Sequence, residues 1–318
     1  MVTFPAGERV MGRVLRADGE PLDHGEKLDQ EPRITLTTAA PASSSAPALF
    51  ETGIKVVDLF CPLRVGGLHQ IGAGYRLGKE VLLAEIIYNL RRHHDGRSVW
   101  VAPSQQHADG HHMVQSFRES GVLSAMSFII APSGQERQAM QAGLALARSF
   151  AFAGQPTVLG IEDDLLTAST AAMLPQDDTI TRLIITHDND TPRLPAPLIA
   201  DATIAFSPTL AQQSIWPAVD GVRSVSRLLD EGLLTGEHAR VAAEARAIIA
   251  HDPASPRARR LIRFGSQPFT VAEPFTARPG VYVSPADTIQ GYAALLTGAY
   301  DDVPEEQLAF LGSLPPHP

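Results

Sequence analysis

The feature of this sequence that constrains its fold most strongly is the order of the apolar stretches. After a linker that ends near residue 47, short apolar runs alternate with segments of helical periodicity up to about residue 206. This alternation predicts a mostly parallel, doubly wound α/β sheet. The expected strands are Leu68–Ile71, Ser98–Ala102, Met126–Ala131, Thr157–Ile161, Arg182–Thr186 and Ala202–Phe206. The expected helices between them are Lys79–Arg92, His111–Ser120, Gln135–Ala153 and Leu210–Ile215.

The two ends of the chain have a different character from its middle. The first 38 residues contain short strand-like runs broken by turns, and Ala39–Pro47 has the Ala/Pro/Ser composition of a linker. After about Leu228 the strand-like runs stop, and the pattern predicts helices at Glu237–Ala250, Pro256–Phe264, Pro285–Thr297 and Pro304–Phe310. We therefore expect three parts, at residues 1–48, 49–228 and 229–318.

Composition excludes several classes of function. The net charge of −9 over 318 residues argues against nucleic acid as a partner, because phosphate backbones bind basic surfaces. The single cysteine, Cys61, cannot form an internal disulfide, which favours a reducing compartment. No apolar stretch reaches the 18 or so residues of a membrane span. We expect a cytoplasmic protein without direct membrane insertion, and any peripheral membrane association would come through partner subunits.

A glycine-rich segment at residues 72–80, with the sequence GAGYRLGKE, stands between an expected strand and an expected helix. This context is typical of a phosphate-binding loop, whose backbone N–H groups and lysine hold phosphates while a Ser or Thr hydroxyl contacts Mg²⁺. Gly78 and Lys79 keep that pattern. Ala73 replaces its first glycine, and Glu80 occupies the position of the hydroxyl.

Glu80 is the change with the greatest chemical consequence in this loop. A carboxylate at the start of the helix is placed where the anionic ligand would bind. Repulsion between unit charges at about 4 Å is roughly 4 kcal/mol at an effective dielectric of 20. Protonation of Glu80, or direct coordination of the metal by it, would relieve this repulsion.

Two other interpretations of the loop remain open. The glycines at positions 72, 74 and 78 form a loose dinucleotide fingerprint, but that motif needs an acidic residue at the end of the next strand. Here Ser98–Ala102 leads into Pro103-Ser104-Gln105-Gln106 instead. The segment could also be an ordinary turn from a strand into a helix.

A carboxylate cluster, Glu162-Asp163-Asp164, follows the expected strand Thr157–Ile161. Phosphate-loop enzymes hold Mg²⁺ with an acidic residue at the end of a strand. A capping or solvated acidic turn explains the same residues without a ligand.

The chain contains the segments ETGIKVVDL (51–59), GK (78–79), IWPAVD (215–220), SVSR (224–227), SQPFTVAEPF (266–275) and DTIQG (287–291). In this order along the chain they closely resemble the beta subunit of F-type rotary ATP synthases, and the resemblance extends from about Gly12 to Gly312. It implies a RecA-like phosphate-loop domain followed by a helical C-terminal domain. Residues 1–48 would then be a remnant of the family's N-terminal β-barrel with its linker, and the implied partners are alpha-type subunits.

The resemblance also implies roles for individual residues. Gly74, Gly78, Lys79 and Glu80 would line the phosphates of ATP or ADP. Trp216, Phe269 and Phe275 would form the pocket for the adenine ring. Glu162 would occupy the metal-site position that the family fills with aspartate, and Arg227 would be an arginine near a subunit interface.

One substitution bears directly on catalysis. Gln105 lies where catalytic beta subunits have the glutamate that activates the attacking water, and an amide cannot accept that proton. With Glu80 in the loop as well, the sequence leaves open whether Mg²⁺ binds. The segment His251–Ser255 also replaces the family's acidic rotor-contacting motif.

These substitutions lead to three hypotheses about function. In the first, the chain is a beta-like protein of the proton-translocating ATPase family that binds a nucleotide but has impaired or no turnover. In the second, it is a working beta subunit of an alternative ATP synthase. In the third, it is a non-enzymatic interaction or assembly protein.

Overall fold

The computed structural model describes residues 3–36, 48–72, 74, 76–104, 112–174, 178–186 and 194–315. The strands are β1 Thr3–Pro5, β2 Val14–Arg16, β3 Arg33–Thr35, β4 Leu49–Phe50, β5 Leu63–Arg64, β6 Leu68–Gly72, β7 Arg97–Pro103, β8 Met126–Ala131, β9 Thr157–Glu162, β10 Thr181–Thr186, β11 Ala202–Ala205 and β12 Val225–Ser226. The helices are α1 Lys55–Phe60, α2 Lys79–His94, α3 His112–Glu119, α4 Glu136–Phe152, α5 Ala168–Ala171, α6 Pro208–Gln212, α7 Arg227–Asp230, α8 Glu237–His251, α9 Pro256–Gly265, α10 Glu273–Thr276 and α11 Pro285–Leu296.

The described residues form two compact units. The first unit consists of those within residues 1–46, 65–71 and 87–200, and the second of those within residues 47–64, 72–86 and 201–318. Helix α2 starts in the second unit and ends in the first. The three-part division expected from the sequence, with boundaries near residues 48 and 228, stays a prediction, and the expected linker Ala39–Pro47 lies outside the described residues.

A mostly parallel sheet forms the centre of the first unit. Within this unit its strands lie in the order β6-β10-β9-β7-β8-β2, and the pairs from β10 to β2 are parallel. All six residues of β9 and of β10 are buried, which is typical of parallel strands that are covered on both faces. Helix α4 packs on β7, β8 and β9. The expected RecA-like α/β sheet is therefore confirmed.

A close approach between β7 and β9 shows how tightly this sheet is packed. Trp100 on β7 is fully buried and lies beside Gly160 on β9. A Cβ atom added to Gly160 would lie 1.9 Å from Cε3 of the indole. Only glycine therefore leaves enough room for the indole here.

The N-terminal residues contribute to this sheet. Strand β2 pairs in parallel with β8, so that Val14 lies opposite Phe128 at the sheet edge. Asp23 accepts hydrogen bonds from Arg13 Nε and from the backbone N–H of Val14. These hydrogen bonds outweigh desolvation and hold the pKa of Asp23 down at about 2. Whether residues 1–48 derive from a barrel stays a prediction.

The second unit is mainly helical after residue 227, as the sequence predicts. Aromatic rings form part of its core: Tyr292 on α11 lies 5.5 Å from Phe60 and 5.0 Å from Phe264, centroid to centroid. Ser255 and Ser284 cap α9 and α11, each accepting a backbone N–H three residues later, with proline at the first helical position. Two short antiparallel pairs, β4–β5 and β11–β12, complete this unit.

Two of the expected helices are wrong in detail. The helix expected at Leu210–Ile215 instead begins at Pro208 and ends at Gln212, because Ser207 accepts the N–H of Leu210 as its cap. The segment Pro304–Phe310 forms only the short 3-10 helix Glu305–Leu308. Within the described residues, no helix has the length and apolar character needed to cross a bilayer.

Candidate functional site

The phosphate-loop segment ends directly in a helix. Lys79 is the first residue of α2 and is 3% exposed, Glu80 in the first turn is partly buried, and Gly74 is buried. Gly78 has φ +83°, a left-handed conformation that favours glycine. The N-terminus of a helix carries a partial positive charge, which is suited to an anion. Lys79 and the start of α2 together provide the elements of a phosphate site.

Arg76 is a feature of this loop that the sequence interpretation missed. Its φ is +64°, and its side chain is exposed. For a residue that has a Cβ atom, the left-handed backbone conformation is roughly 1–2 kcal/mol less favourable than the right-handed conformation. Such strain concentrates at functional sites, and a non-glycine residue within a glycine-rich turn is the signal that could have drawn attention to it.

Trp216 lies next to the phosphate loop. A Cβ atom added to Gly78 would lie 3.2 Å from Cζ3 of the Trp216 indole, so the ring packs against the residue that precedes Lys79. The indole remains 37% exposed, which leaves part of it accessible to a ligand. An aromatic face beside a phosphate site is an arrangement that can stack on a nucleotide base.

A second segment, Gln267–Phe275, is attached to Trp216, and we call it the base segment. The backbone N–H of Gln267 donates to the carbonyl oxygen of Trp216 at 2.9 Å. Two residues later, Phe269 is 7% exposed, whereas Phe275 on α10 is 73% exposed. The structure therefore joins the segments that carry Trp216 and Phe269, and it leaves Phe275 on the surface.

The side chain of Gln267 fixes the start of the base segment. It is buried, and its Oε1 accepts the backbone N–H of Lys55 at 2.9 Å. Its Nε2 donates to the carbonyls of Gly53 and Val281 at 2.7 and 2.6 Å. One amide thus satisfies two buried backbone groups and one partly buried one, from two other segments.

Glu85 connects the base segment to α2. Its fully buried carboxylate accepts the backbone N–H groups of Thr270 and Val271, each at 3.1 Å. Burial raises the pKa of Glu85 to about 7, while the two N–H groups act to lower it and Glu273 acts to raise it. The residue therefore links the helix that begins with Lys79 to the backbone beside Phe269.

Two further residues expected from the sequence lie elsewhere. Arg227, 47% exposed, starts α7, and its Nε donates to Glu231 at 2.6 Å while its Nη1 lies 3.4 Å from Asp201. The hydrogen bond to Glu231 is the main cause of its raised pKa. Glu162 ends β9 in the first unit and is buried. It precedes a 3-10 turn at Asp163–Leu165 without capping it through its side chain.

Two expectations from the sequence remain, one for Gln105 and one for the metal site. Gln105 falls among residues 105–111, outside the described part of the chain. Within the described part, no three His, Cys, Asp or Glu side chains lie close enough together to hold a metal ion. The role of Gln105 and the loss of the metal site stay predictions.

Residues 53–174 match the family model described as "ATP synthase alpha/beta family, nucleotide-binding domain". Over this segment the chain is related to the ATP synthase alpha/beta family. The matched segment contains the loop with Lys79, the helix with Glu85 and the strand that ends at Glu162. This match indicates a nucleotide-binding protein of the ATPase family. Trp216, Arg227, Phe269 and Phe275 lie beyond the matched segment, so the roles that this family suggests for them are proposals.

Two buried carboxyl groups make stability depend on pH. Burial raises the pKa of Asp58 and of Glu85 to about 7 each, against about 4 in the unfolded chain. Between about pH 4 and pH 7 the folded state holds protons that the unfolded state has released, so stability falls as pH rises through this window. Urea unfolding should show a larger stability advantage of the wild type over Asp58→Asn at pH 5 than at pH 7.5.

The comparison with Asp58→Asn isolates one titration from all others. The asparagine of this variant does not ionise, but the other titrating groups are the same in both proteins. A stability difference that stays constant or grows between pH 5 and pH 7.5 would show that Asp58 does not titrate as its burial indicates.

Proposed function

We propose that this chain binds an adenine nucleotide and does not turn it over. The observation that carries this proposal is the packing of Trp216 against Gly78, the residue before Lys79. The phosphates would bind at the N-terminus of α2 with Lys79, and the base would stack on the indole. The match to a nucleotide-binding domain across residues 53–174 supports the same ligand class.

The absence of turnover is proposed from two side chains of the sequence. Glu80 supplies a carboxylate where a Mg²⁺-binding hydroxyl is expected, and Gln105 supplies an amide where a general base is expected. Loss of a general base alone lowers a rate by roughly 10²-fold to 10⁴-fold. ATP and ADP would therefore act as bound ligands, with Mg²⁺ contributing little to their affinity.

We also propose that alpha-type subunits are partners of this beta-like chain. The exposed Arg227, held by Asp201 and Glu231, offers a cationic group of fixed orientation for such an interface. Any association with a membrane would be peripheral and would occur through these partners. Co-purification with an alpha-type subunit from the native cell would test this, and Arg227→Ala should weaken it.

Nucleotide binding is tested by calorimetric titration with ADP and ATP, each with and without Mg²⁺. We expect binding in both conditions, and a loss of roughly 10-fold to 100-fold in affinity for Lys79→Ala, the range for one charged hydrogen bond. The fluorescence of Trp216 gives a second measurement, because the other tryptophan, Trp100, is buried in the first unit.

Lys27→Ala is the matched control, since Lys27 is an exposed lysine in the N-terminal region. Its affinity for ADP should equal that of the wild type. Equal affinities for wild type and Lys79→Ala, or no binding by the wild type, would refute the proposal. If the wild type releases phosphate from ATP and Lys79→Ala does not, the chain turns ATP over, and that part of the proposal is refuted.

A further inference from the structure

We propose that Glu85 is a positioning residue that sets the base segment against the phosphate-binding helix, and thereby makes base recognition depend on α2. This inference rests on the proposed nucleotide binding and adds how its two halves are connected. It concerns a residue that touches neither the phosphates nor the base.

The geometry gives Glu85 contacts of an unusual kind. Its two carboxylate oxygens each accept one backbone N–H, from Thr270 and from Val271, at 3.1 Å. These two residues begin the 3-10 helix Thr270–Ala272, whose first N–H groups have no partner within the turn. A carboxylate at such an N-terminus satisfies both donors and interacts favourably with the local dipole. Glu85 thus caps a turn that is 185 residues away in the chain.

The position of Glu85 on α2 relates this cap to the phosphate end of the site. It lies six residues after Lys79, which at 1.5 Å per residue is roughly 9 Å along the same rigid helix. Phe269 immediately precedes the capped turn. Two residues before Phe269, the backbone N–H of Gln267 donates to the carbonyl oxygen of Trp216. A shift of the turn relative to α2 would therefore move the aromatic residues proposed for the base, while Lys79 would stay in place.

Packing alone does not account for a carboxylate at this position. The neighbouring residues on the buried face of α2 are apolar: Leu82, Leu83, Ile86 and Ile87 are all fully buried. Burial, with a smaller contribution from the nearby Glu273, raises the pKa of Glu85 to about 7, so ionised Glu85 is disfavoured by its surroundings. An apolar residue would pack there without that cost, but it would leave the turn without its acceptor.

The test compares a ligand that has a base with one that lacks it. Glu85→Gln keeps the size of the side chain but points an NH₂ group at one of the two N–H donors. We expect affinity for ADP to fall by about tenfold, the scale of one charged hydrogen bond, while affinity for inorganic pyrophosphate changes less than about twofold. Calorimetry on the full chain measures both, at a pH above 7.5 where the wild-type carboxyl is ionised.

A general loss of stability must be separated from misplacement of the base segment. Asp23→Asn, which breaks a largely buried ion pair in the first unit, serves as a destabilised control and should leave the ratio of ADP to pyrophosphate affinity unchanged. Glu85→Asp, which keeps the charge on a shorter side chain, serves if Glu85→Gln does not fold. It should also lose ADP affinity selectively.

The outcomes separate this inference from the proposed function. A selective loss of ADP affinity supports the positioning role. An equal loss for both ligands, or no loss, overturns that role while nucleotide binding stands. A wild-type protein that binds neither ligand overturns the proposed function itself, and this inference with it.

Discussion

Replacing Glu80 by threonine is expected to raise the affinity for ATP in the presence of Mg²⁺ by roughly 10²-fold. Glu80 lies in the first turn of α2, directly after Lys79. At about 4 Å and an effective dielectric of 20, its repulsion of a phosphate charge is at most roughly 4 kcal/mol, and its partial exposure reduces this. Threonine removes the repulsion and supplies the hydroxyl that contacts Mg²⁺ in phosphate loops. Calorimetric titration with and without Mg²⁺ measures the change.

Glu80→Gln separates the two parts of this effect. Glutamine removes the charge without offering the hydroxyl, so affinity should rise while remaining independent of Mg²⁺. Both variants lose about 0.3–1 kcal/mol of favourable interaction between Glu80 and the helix dipole, which is small beside the effect on binding. If Glu80→Thr instead weakens Mg²⁺-dependent binding, Glu80 is itself a metal ligand, and the hypothesis of a working beta subunit gains support.

The sequence predicted the central sheet well because its strands are buried and short. Strands β7 and β9 contain continuous apolar runs, at residues 99–102 and 158–161, with periodic helical segments between the strands, and this pattern has few alternative folds. It did not predict that β2 pairs with β8, because Val14 and its partner Phe128 are far apart in the chain and β2 is only three residues long. The pairing of such a short segment is decided by the completed sheet.

The candidate site shows the same division between local and distant signals. The phosphate loop was found from adjacent residues, Gly78 and Lys79, whose chemistry is local to one turn. The contacts of Glu85 and Gln267 were not predicted because their partners are backbone groups, which are the same in nearly every residue type. For Glu85 there was nevertheless a signal: a charged residue on the apolar face of a helix, flanked by alanine and isoleucine.

The predicted helix boundaries are wrong where local capping residues and prolines compete with the apolar periodicity. Leu210–Ile215 has helical spacing, but Ser207-Pro208 starts the helix earlier, since serine caps it and proline suits its first turn. The segment after Pro304 has too few residues that can be buried on one side to extend its 3-10 turn. Among the residues of that turn only Leu308 is buried.

Gln267→Leu is expected to lower the free energy of unfolding by roughly 3–5 kcal/mol, since two buried backbone groups and one partly buried one lose their partners at about 1–3 kcal/mol for each. Leucine has a similar size, so the main effect is the loss of three side-chain hydrogen bonds. The groups left behind are the N–H of Lys55 and the carbonyls of Gly53 and Val281. Urea unfolding of the full chain measures the loss.

The control and the functional consequence follow from where Gln267 lies. Gln115→Leu changes the same residue type on the exposed side of α3 and should alter stability by less than about 0.5 kcal/mol. Because the backbone of Gln267 also bonds to Trp216, the folded fraction of Gln267→Leu should bind ADP more weakly than the wild type while keeping its affinity for pyrophosphate. A stability loss no larger than that of Gln115→Leu would mean that water or backbone rearrangement replaces the amide, and that the base segment is held by Glu85 alone.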